Sequence, residues 1–299
     1  MKKPTISIGI PTFNQGDYLE EAILSVLNQT IKPFEFVISD NHCTDPKSIQ
    51  ILNKYSSLVK IIRPNNHLSM MDNWNFLCQN LKGDYVSLIS SDDFYNPNFI
   101  ECFYNNYRPE IGVYRFGFNT VDINSKITEV KRIYSVPKIQ KYPYNFLNQF
   151  NGPKVSFAAF VVKRQHLKDL SYFDNSYKLF ADWDLWLRIS KLTPFHYSSE
   201  IVSNYRSSYR PALDIKRLNS SLNDLEKIYS VIYKKTRLKF YHKIAYSVKV
   251  NSLMFSLADD NKKLVYDLLK RNNLFLFNKT SYFLLNSLIR ISNYFFRYL

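Results

Sequence analysis

Glycine and cysteine are both scarce in this chain. Its 299 residues include six glycines, with neither a Gly-x-Gly-x-x-Gly turn nor a P-loop, which disfavours dehydrogenases and kinases. The three cysteines, Cys43, Cys78 and Cys102, are far apart and odd in number, so neither a disulfide framework nor a cysteine metal site is indicated. A reducing compartment is the simpler expectation.

Long apolar runs are also missing from the sequence. No run approaches the ~20 apolar residues of a membrane-spanning helix. The apolar stretch after the basic residues 2–3 is interrupted by Ser7, Gly9 and Pro11, which is unlike a signal peptide. We therefore expect a cytoplasmic protein. The five histidines show no His-x-x-x-His or His-Glu-x-x-His spacing, so no histidine metal site is indicated.

Positive charge is abundant and unevenly distributed. The formal net charge is +15, and from Lys216 onward there are sixteen Lys or Arg against five Asp or Glu. A nucleic-acid-binding protein would need a basic stripe with stacking aromatic residues in loops or a groove. Here the positive charge is interleaved with a predominantly apolar helical end, so we expect no nucleic-acid partner.

Short apolar runs alternate with helically spaced apolar residues over the first hundred residues. This pattern is typical of β-α-β units with a parallel sheet. It predicts strands at 6–10, 34–39, 59–62 and 85–89 and helices at 19–27 and 70–81, with Pro11 ending the first strand. Each strand leads into polar residues at its C-terminal end, the edge where open parallel sheets bind ligands.

Beyond residue 110 the pattern becomes mixed. Stretches 113–118 and 155–162 are strand-like, a helix opens near Asp182, and residues 203–211 are polar and rich in turn formers. We place a domain boundary there. The expected architecture is an α/β domain, residues 1–210, with a Rossmann-like, mostly parallel sheet flanked by helices, followed by a basic, aromatic-rich helical extension, residues 211–299.

The first motif that carries chemistry follows the first two strands. It reads Ile8-Gly9-Ile10-Pro11-Thr12-Phe13-Asn14, then Asn28-Gln29-Thr30, then Ile38-Ser39-Asp40-Asn41. Pro11 and Thr12 can hold backbone and hydroxyl groups against a base and ribose, and Asp40 can accept a hydrogen bond from a ring N–H of uracil, thymine or guanine. The alternative for Asp40 is a helix cap or an Asx turn.

The second motif is Ser90-Ser91-Asp92-Asp93, directly after an apolar strand. Adjacent carboxylates at a sheet edge repel each other unless a cation or ribose hydroxyls lie beside them, so Mg²⁺ or Mn²⁺ bridging two phosphates is expected. The alternative is an N-cap for a helix that starts near Pro97.

The third motif spans residues 180–188, Phe-Ala-Asp-Trp-Asp-Leu-Trp-Leu-Arg. Asp184 is four residues before Arg188 and is well placed for a structural ion pair on a helix. Asp182 is left as the candidate general base. Trp183 and Trp186 can either stack on an acceptor sugar or pack in the core.

In this order the motifs resemble glycosyltransferase family 2 over residues 4–210. The resemblance implies the A-type glycosyltransferase fold and the following roles: nucleotide contacts at Pro11, Thr12, Phe13, Asn14, Asp40 and Asp92, a divalent metal on Asp93, a catalytic base at Asp182, diphosphate contacts at Arg206 and Arg210, and acceptor contacts at Trp183 and Trp186. Ser90, Ala181 and Ser208 depart from the family pattern, which has Asp, Glu and His there.

The resemblance implies an inverting transfer from a nucleoside-diphosphate sugar to a glycan or lipid-linked acceptor, in the synthesis of O-antigen or capsule. A nucleotide-sugar-binding protein without transfer activity is the alternative. In the extension, the last helix carries a narrow stripe of Lys, Asn and Arg opposite a broad aromatic and aliphatic face, which predicts binding to the anionic inner face of the plasma membrane. Docking on the catalytic domain or on a second subunit, as in a homo-oligomer, is the alternative there.

Overall fold

The described residues form a ten-stranded mixed sheet with flanking helices. It is seen in a computed structural model that describes residues 3–133, 138–149, 156–207 and 215–234. Contacts divide the chain into two units, residues 1–176 with 181–210 and residues 177–180 with 211–299. The predicted domain division stays a prediction, because most residues after 207 lie outside the described ranges.

The helices and strands alternate along most of the chain. The strands are β1 (Ile6–Thr12), β2 (Glu35–Asp40), β3 (Lys60–Ile62), β4 (Tyr85–Leu88), β5 (Phe94–Tyr95), β6 (Val113–Val121), β7 (Ile127–Lys131), β8 (Ile139–Gln140), β9 (Phe160–Lys163) and β10 (Phe195–Arg206). The helices are α1 (Gly16–Leu27), α2 (Pro46–Tyr55), α3 (Met70–Asn80), α4 (Phe99–Asn106), α5 (Tyr144–Leu147), α6 (Arg164–Asp169), α7 (Ala181–Ile189) and α8 (Ile215–Lys234).

The sheet has a parallel half and a mixed half. Its strand order is β3-β2-β1-β4-β9-β6-β10-β5, with β7 beside β6 and β8 beside β10. The first four strands are parallel, as predicted, whereas β9 is antiparallel to both β4 and β6. Parallel neighbours need a long crossover connection, and the short strands β5, β7, β8 and β9 enter the sheet without one.

Helix α1 packs on the sheet through the apolar stripe that its sequence predicts. Its fully buried residues are Leu19, Ala22, Ile23 and Val26, and they join Ile6, Ile8 and Ile10 of β1 in one hydrophobic cluster. Burying a side chain of this size contributes about 1.5–3 kcal/mol. This packing fixes the direction in which α1 leaves the end of β1, and therefore the turn between them.

Two predictions about element boundaries were wrong. Pro11 does not end β1, which continues to Thr12 in register with β2. Proline is tolerated because the pairing of β1 with β4 ends at Gly9, so no partner on that side needs its missing N–H. The polar residues from Ser203 to Arg206 belong to β10 and not to a turn, because they pair with β6, and the buried side chains of Asn204 and Arg206 have hydrogen-bond partners there.

The second unit contributes helix α8. The carboxylate of Asp224 on α8 is buried and accepts hydrogen bonds from the backbone N–H groups of residues 178, 179 and 180, at 2.7–3.1 Å. Across the described ranges, no helix combines the length and hydropathy that spanning a membrane requires. The membrane-binding and oligomer-forming roles expected of the last helix fall on residues outside these ranges and stay predictions, as does the cytoplasmic location.

Candidate active site

The first two acidic motifs lie at one edge of the parallel half of the sheet. Thr12, the last residue of β1, is in register with Asp40, the last residue of β2. Strand β4 pairs with the other side of β1 and ends at Leu88, so residues 90–93 leave the sheet at the same edge. The carboxyl ends of parallel strands are where open α/β sheets bind ligands.

Asn14 holds the turn between β1 and α1. Its φ of 52° is left-handed, which asparagine tolerates better than most residues. Its Oδ1 accepts hydrogen bonds from the N–H groups of Thr44 and Asp45, at 2.7 and 3.1 Å. Its Nδ2 donates to the Thr44 hydroxyl at 3.0 Å. Asn14 thus shapes the turn through protein contacts, and its contact with a nucleotide stays a prediction.

Beside this turn lie the buried hydroxyl group of Thr12 and the exposed ring of Phe13. The buried Thr12 hydroxyl has no hydrogen-bond partner in the described part of the chain. Leaving such a group unsatisfied costs about 1–3 kcal/mol, so a polar ligand or water is expected beside it. The ring of Phe13 is 43% exposed and lies 4.4 Å from the His67 ring, centroid to centroid. A flat base with a polar edge suits these two groups.

Asp40 is buried and forms an ion pair that the sequence analysis did not anticipate. Its Oδ1 accepts the N–H of Cys43 at 2.8 Å, as in the turn that was the alternative role for this residue, and its Oδ2 accepts hydrogen bonds from both Nε and Nη2 of Arg63. Burial raises the pKa of Asp40, but the Cys43 amide and the Arg63 guanidinium outweigh it and hold the pKa below its ordinary value. Asp40 is therefore ionised, with a cation at its side.

Arg63, the ion-pair partner of Asp40, is a candidate site residue that the sequence analysis missed. It directly follows β3, at the same C-terminal edge of the sheet as Asp40, and its side chain is 54% exposed. Its position after the third strand is the signal that could have identified it. The exposed Arg63 guanidinium offers hydrogen-bond donors to a ligand, whereas Asp40 is buried and already accepts hydrogen bonds from the Cys43 N–H and from Arg63.

Asp92 and Asp93 have different surroundings although they are adjacent. Asp93 is 2% exposed, and its Oδ1 accepts the backbone N–H of Arg206 at 2.8 Å, whereas Asp92 is partly exposed. Burial raises the pKa of both carboxyl groups, and the negative charge of Asp92 raises that of Asp93 further. Neither caps α4, which starts at Phe99 with Asn98 at its N-cap, so the alternative role for this motif is excluded.

The fit of this motif to a divalent metal depends on Asp92. No three His, Cys, Asp or Glu side chains are grouped as a metal site within the residues that the structure describes. A Mg²⁺ ion that bridges phosphates, however, needs one or two carboxylates and completes its shell with phosphate oxygens and water. The partly exposed Asp92 fits that arrangement. Asp93 fits it less well, because the backbone of β10 already engages its buried carboxylate.

Asp182 lies in the first turn of α7 and is partly exposed. Burial raises its pKa to about 6, opposed by hydrogen bonds from the backbone N–H groups of Trp183 and of Asp182 itself. The Trp183 N–H donates to its Oδ1 at 2.8 Å. A carboxyl group that titrates near neutral pH is suited to general-base catalysis. In the described residues, no hydrogen bond joins Asp182 to the first two motifs.

The predicted ion pair on α7 is confirmed. Arg188 Nε donates to Asp184 Oδ2 at 2.7 Å, and the other two guanidinium nitrogens donate to the carbonyl groups of Leu170 and Tyr172. Ser171 and Tyr172 both have positive φ angles, 56° and 66°. The pair therefore holds a left-handed turn against α7, and Asp184 is structural.

The two tryptophans of α7 occupy core positions. Trp183 is 1% exposed and donates its indole N–H to the carbonyl group of Gln149, while Trp186 is fully buried against Phe160, 4.8 Å between centroids. A sugar-stacking surface has to be exposed, and neither ring is. Core packing, the alternative role for this pair, therefore describes both residues better than contact with an acceptor.

Arg206 and Arg210 are the two arginines predicted to contact the diphosphate. The guanidinium of Arg206 is completely buried among protein acceptors, a position that favours a structural role over direct contact with a diphosphate. Arg210 and Ser208 lie outside the described residues.

Comparison with known proteins gives one family and one fold. A family model described as Glycosyl transferase family 2 matches residues 7–171, more than half of the chain. The chain is 27% identical over 231 residues to an uncharacterized glycosyltransferase of Rickettsia typhi, covering 75% of this chain and 69% of the relative. It is 23% identical over 207 residues to the chondroitin synthase of Pasteurella multocida, covering 67% of this chain and only 20% of that protein.

The fold is also that of a solved structure. The crystal structure of S. aureus TarS 1-349 in complex with UDP-GlcNAc matches with a TM-score of 0.60 at 17% identity. The match covers 86% of this chain and 74% of the other. The mixed sheet with helices on its faces is therefore the A-type glycosyltransferase fold, as predicted.

Proposed function

The chain belongs to glycosyl transferase family 2, and from that premise we propose that it moves a sugar from a nucleoside-diphosphate sugar to a hydroxyl group of a glycan or lipid-linked acceptor. The observation that supports this proposal most is the pair of motifs at one sheet edge. There Thr12, whose hydroxyl is unpartnered in the described residues, ends β1, and the ionised Asp40, paired with Arg63, ends the neighbouring β2. The loop of Asp92 follows β4, the strand on the other side of β1.

We propose uracil as the base. Uracil presents an N–H between two carbonyl groups; the exposed Arg63 guanidinium can donate to a carbonyl group, and a remaining lone pair of the Asp40 carboxylate can accept the N–H. Thymine has the same edge, whereas guanine has an amino group in place of one of the two carbonyl groups. The fold likeness to TarS, whose crystal structure holds UDP-GlcNAc, supports a uridine nucleotide as the first choice.

Replacing Asp40 with Asn is expected to weaken UDP binding about 10- to 100-fold, whether or not Mg²⁺ is present. An amide cannot hold Arg63 as a carboxylate does, and hydrogen bonds to charged groups contribute about 1.5–3 kcal/mol. Titration calorimetry with UDP measures the change. Asp17→Asn, which removes an exposed carboxylate on α1, is the matched control and should bind as the wild type does. A binding defect of Asp40→Asn that appears only with Mg²⁺ would show that Asp40 acts on the phosphates and not on the base.

For the diphosphate, we propose Asp92 as the carboxylate that would hold a divalent cation, in place of the predicted Asp93. Such a cation neutralises charge on the departing nucleoside diphosphate. The contribution of this chain is to keep Asp92 partly exposed at the end of the loop, while the buried Asp93 secures that loop to β10 through the Arg206 N–H.

For the chemical step, we propose that Asp182 takes the proton of the acceptor hydroxyl group. The hydroxyl oxygen then attacks the anomeric carbon, and the bond from that carbon to the β-phosphate oxygen breaks. The nucleoside diphosphate leaves with the electron pair. A single displacement of this kind inverts the anomeric configuration. The support is the raised pKa of Asp182 and its place in the third motif.

The rate of transfer is expected to fall about tenfold per pH unit below pH 6 and to level off above it. Burial raises the Asp182 pKa to about 6, and only the ionised carboxylate can accept a proton, so acid removes the active form. Initial rates at saturating donor and acceptor between pH 4.5 and 8.5 measure this. The low residual rate of Asp182→Asn should not fall in this way below pH 6. An unchanged fall in that variant would show that another group causes it.

A nucleotide-sugar-binding protein without transfer activity is the second candidate. Ser90 and Ala181 stand where the family pattern has Asp and Glu, and these substitutions favour it. Both candidates predict that UDP, GDP or dTDP raises the melting temperature of the protein. Only the first predicts that bound donor is turned over, and surface polysaccharide is then the proposed product class.

A further inference from the structure

Arg206 is the most completely engaged arginine side chain in the described structure. It is 0% exposed, and each of its five N–H donors has an acceptor. Nε donates to the Asp92 carbonyl group at 2.9 Å. Nη1 donates to the carbonyl groups of Asp122 and Ile123, and Nη2 to Glu21 Oε2 and Ser125 Oγ, at 2.6–3.1 Å.

Aromatic rings also flank the guanidinium of Arg206. Its central carbon lies 4.2 Å from the ring centroid of Tyr18 and 5.8 Å from that of Phe94. Arginine stacks on rings and donates in its own plane at the same time, which lysine cannot do. Among the described residues, Glu21 is the one carboxylate that accepts a hydrogen bond from the guanidinium, and it lies on the helix that starts after the turn of residues 12–14.

The partners of Arg206 belong to three separate elements. Tyr18 and Glu21 lie on α1, directly after the turn of residues 12–14. Asp92 is the residue proposed for the phosphates, and residues 122–125 form the turn from β6 to β7. A second link joins the first two elements, because the Ser91 hydroxyl donates to Gln15 Oε1 at 3.1 Å. Directly after the loop of residues 89–93, the Tyr95 N–H also donates to the Ser25 hydroxyl of α1, at 3.1 Å.

We call residues 11–14 with Asp40 the nucleoside station, and Asp92 the phosphate station. We propose that Arg206 is a positioning residue that fixes the spacing between these two stations. It does so by joining the carbonyl group of Asp92 to the Glu21 carboxylate through one rigid, buried guanidinium. The inference rests on the proposed function. It gives Arg206 a role in donor binding without contact with the donor.

A ligand that spans both stations needs the correct spacing, whereas a ligand confined to one does not. UDP spans both, and uridine occupies the nucleoside station alone. Arg206→Lys keeps the charge but loses the planar set of donors, so it should raise the Kd for UDP about tenfold or more and leave that for uridine within about twofold. Glu21→Gln should cause a smaller change in the same direction, because a neutral acceptor replaces the charged one.

Affinities measured for wild type, Arg206→Lys and Glu21→Gln test the proposal, with calorimetry for UDP and ligand-observed NMR for uridine. Arg188→Lys is the matched control, since it also removes an arginine that binds two carbonyl groups and a carboxylate. It should lower the melting temperature without changing the ratio of the two affinities. A wild-type ratio in both Arg206→Lys and Glu21→Gln, or equal losses for both ligands, would overturn the proposal. Wild-type protein that binds neither ligand would overturn the proposed function itself.

Discussion

Asp182→Asn will lower the turnover of sugar transfer about 10²- to 10⁴-fold and leave UDP affinity within about twofold of wild type. The expected loss is that of a positioned general base, because an amide of the same shape cannot accept the proton of the acceptor hydroxyl. Nucleotide binding should be retained, since Asp182 shares no hydrogen bond with the first two motifs among the described residues. Steady-state kinetics and calorimetry together measure the two effects.

The matched control for Asp182→Asn is Asp169→Asn. Asp169 ends α6 on the same sheet domain and is about half exposed, so losing its charge should change neither turnover nor binding. Wild-type turnover in Asp182→Asn would remove Asp182 from the mechanism. A parallel loss of UDP binding would instead show that the substitution disturbs the site as a whole.

Asp92→Asn is expected to abolish the tightening of UDP binding by Mg²⁺ and to lower the rate of transfer by at least about 10²-fold. The missing carboxylate would hold the cation that stabilises the leaving group, an effect of several kcal/mol. Asp93→Asn should retain that tightening, since an asparagine oxygen can still accept the Arg206 N–H. Calorimetry of UDP with and without Mg²⁺ compares the two variants directly.

The opposite pattern would restore the assignment drawn from the family resemblance. If Asp93→Asn loses the Mg²⁺ effect while Asp92→Asn keeps it, Asp93 is the ligand, and its burial in this structure reflects a loop that rearranges with the donor. Equal affinity of the wild type for UDP with and without Mg²⁺ would show that UDP binding does not use a metal. In every case the melting temperature has to be measured, because Asp93 secures the loop to β10.

Local patterns were sufficient to predict the parallel half of the sheet. Apolar runs bounded by polar turns give β1, β2, β3 and β4 to within two residues, because each strand is a short local run and β1, β2 and β4 are largely buried in the sheet. Helix α2 was missed, although Asp45 and Pro46 carry the signal of an N-cap followed by proline at N1. The mixed half of the sheet was harder to predict, because its short antiparallel strands pair with partners that are distant in the sequence.

The roles proposed for residues within each motif depend on contacts that no local pattern contains. Arg206 meets the Asp92 carbonyl group 114 positions earlier in the chain, and Arg63 meets Asp40 across 23. The sequence could therefore place carboxylates at the correct edge, but it could not show which of two adjacent ones is buried. For the same reason, the aromatic character of Trp183 and Trp186 could not show whether the rings face the core or an acceptor.

Turnover of a nucleotide sugar tests the central claim most directly. The protein is incubated with UDP-, GDP- and dTDP-sugars, with and without Mg²⁺ and candidate glycan acceptors, and both donor binding and release of nucleoside diphosphate are measured. We predict that a UDP-sugar binds, that wild type releases UDP above the rate without enzyme, and that Asp182→Asn binds the donor but does not release it. Binding without release by the wild type would favour the binding protein over the transferase, and a protein that neither binds nor turns over any of these donors would contradict the account.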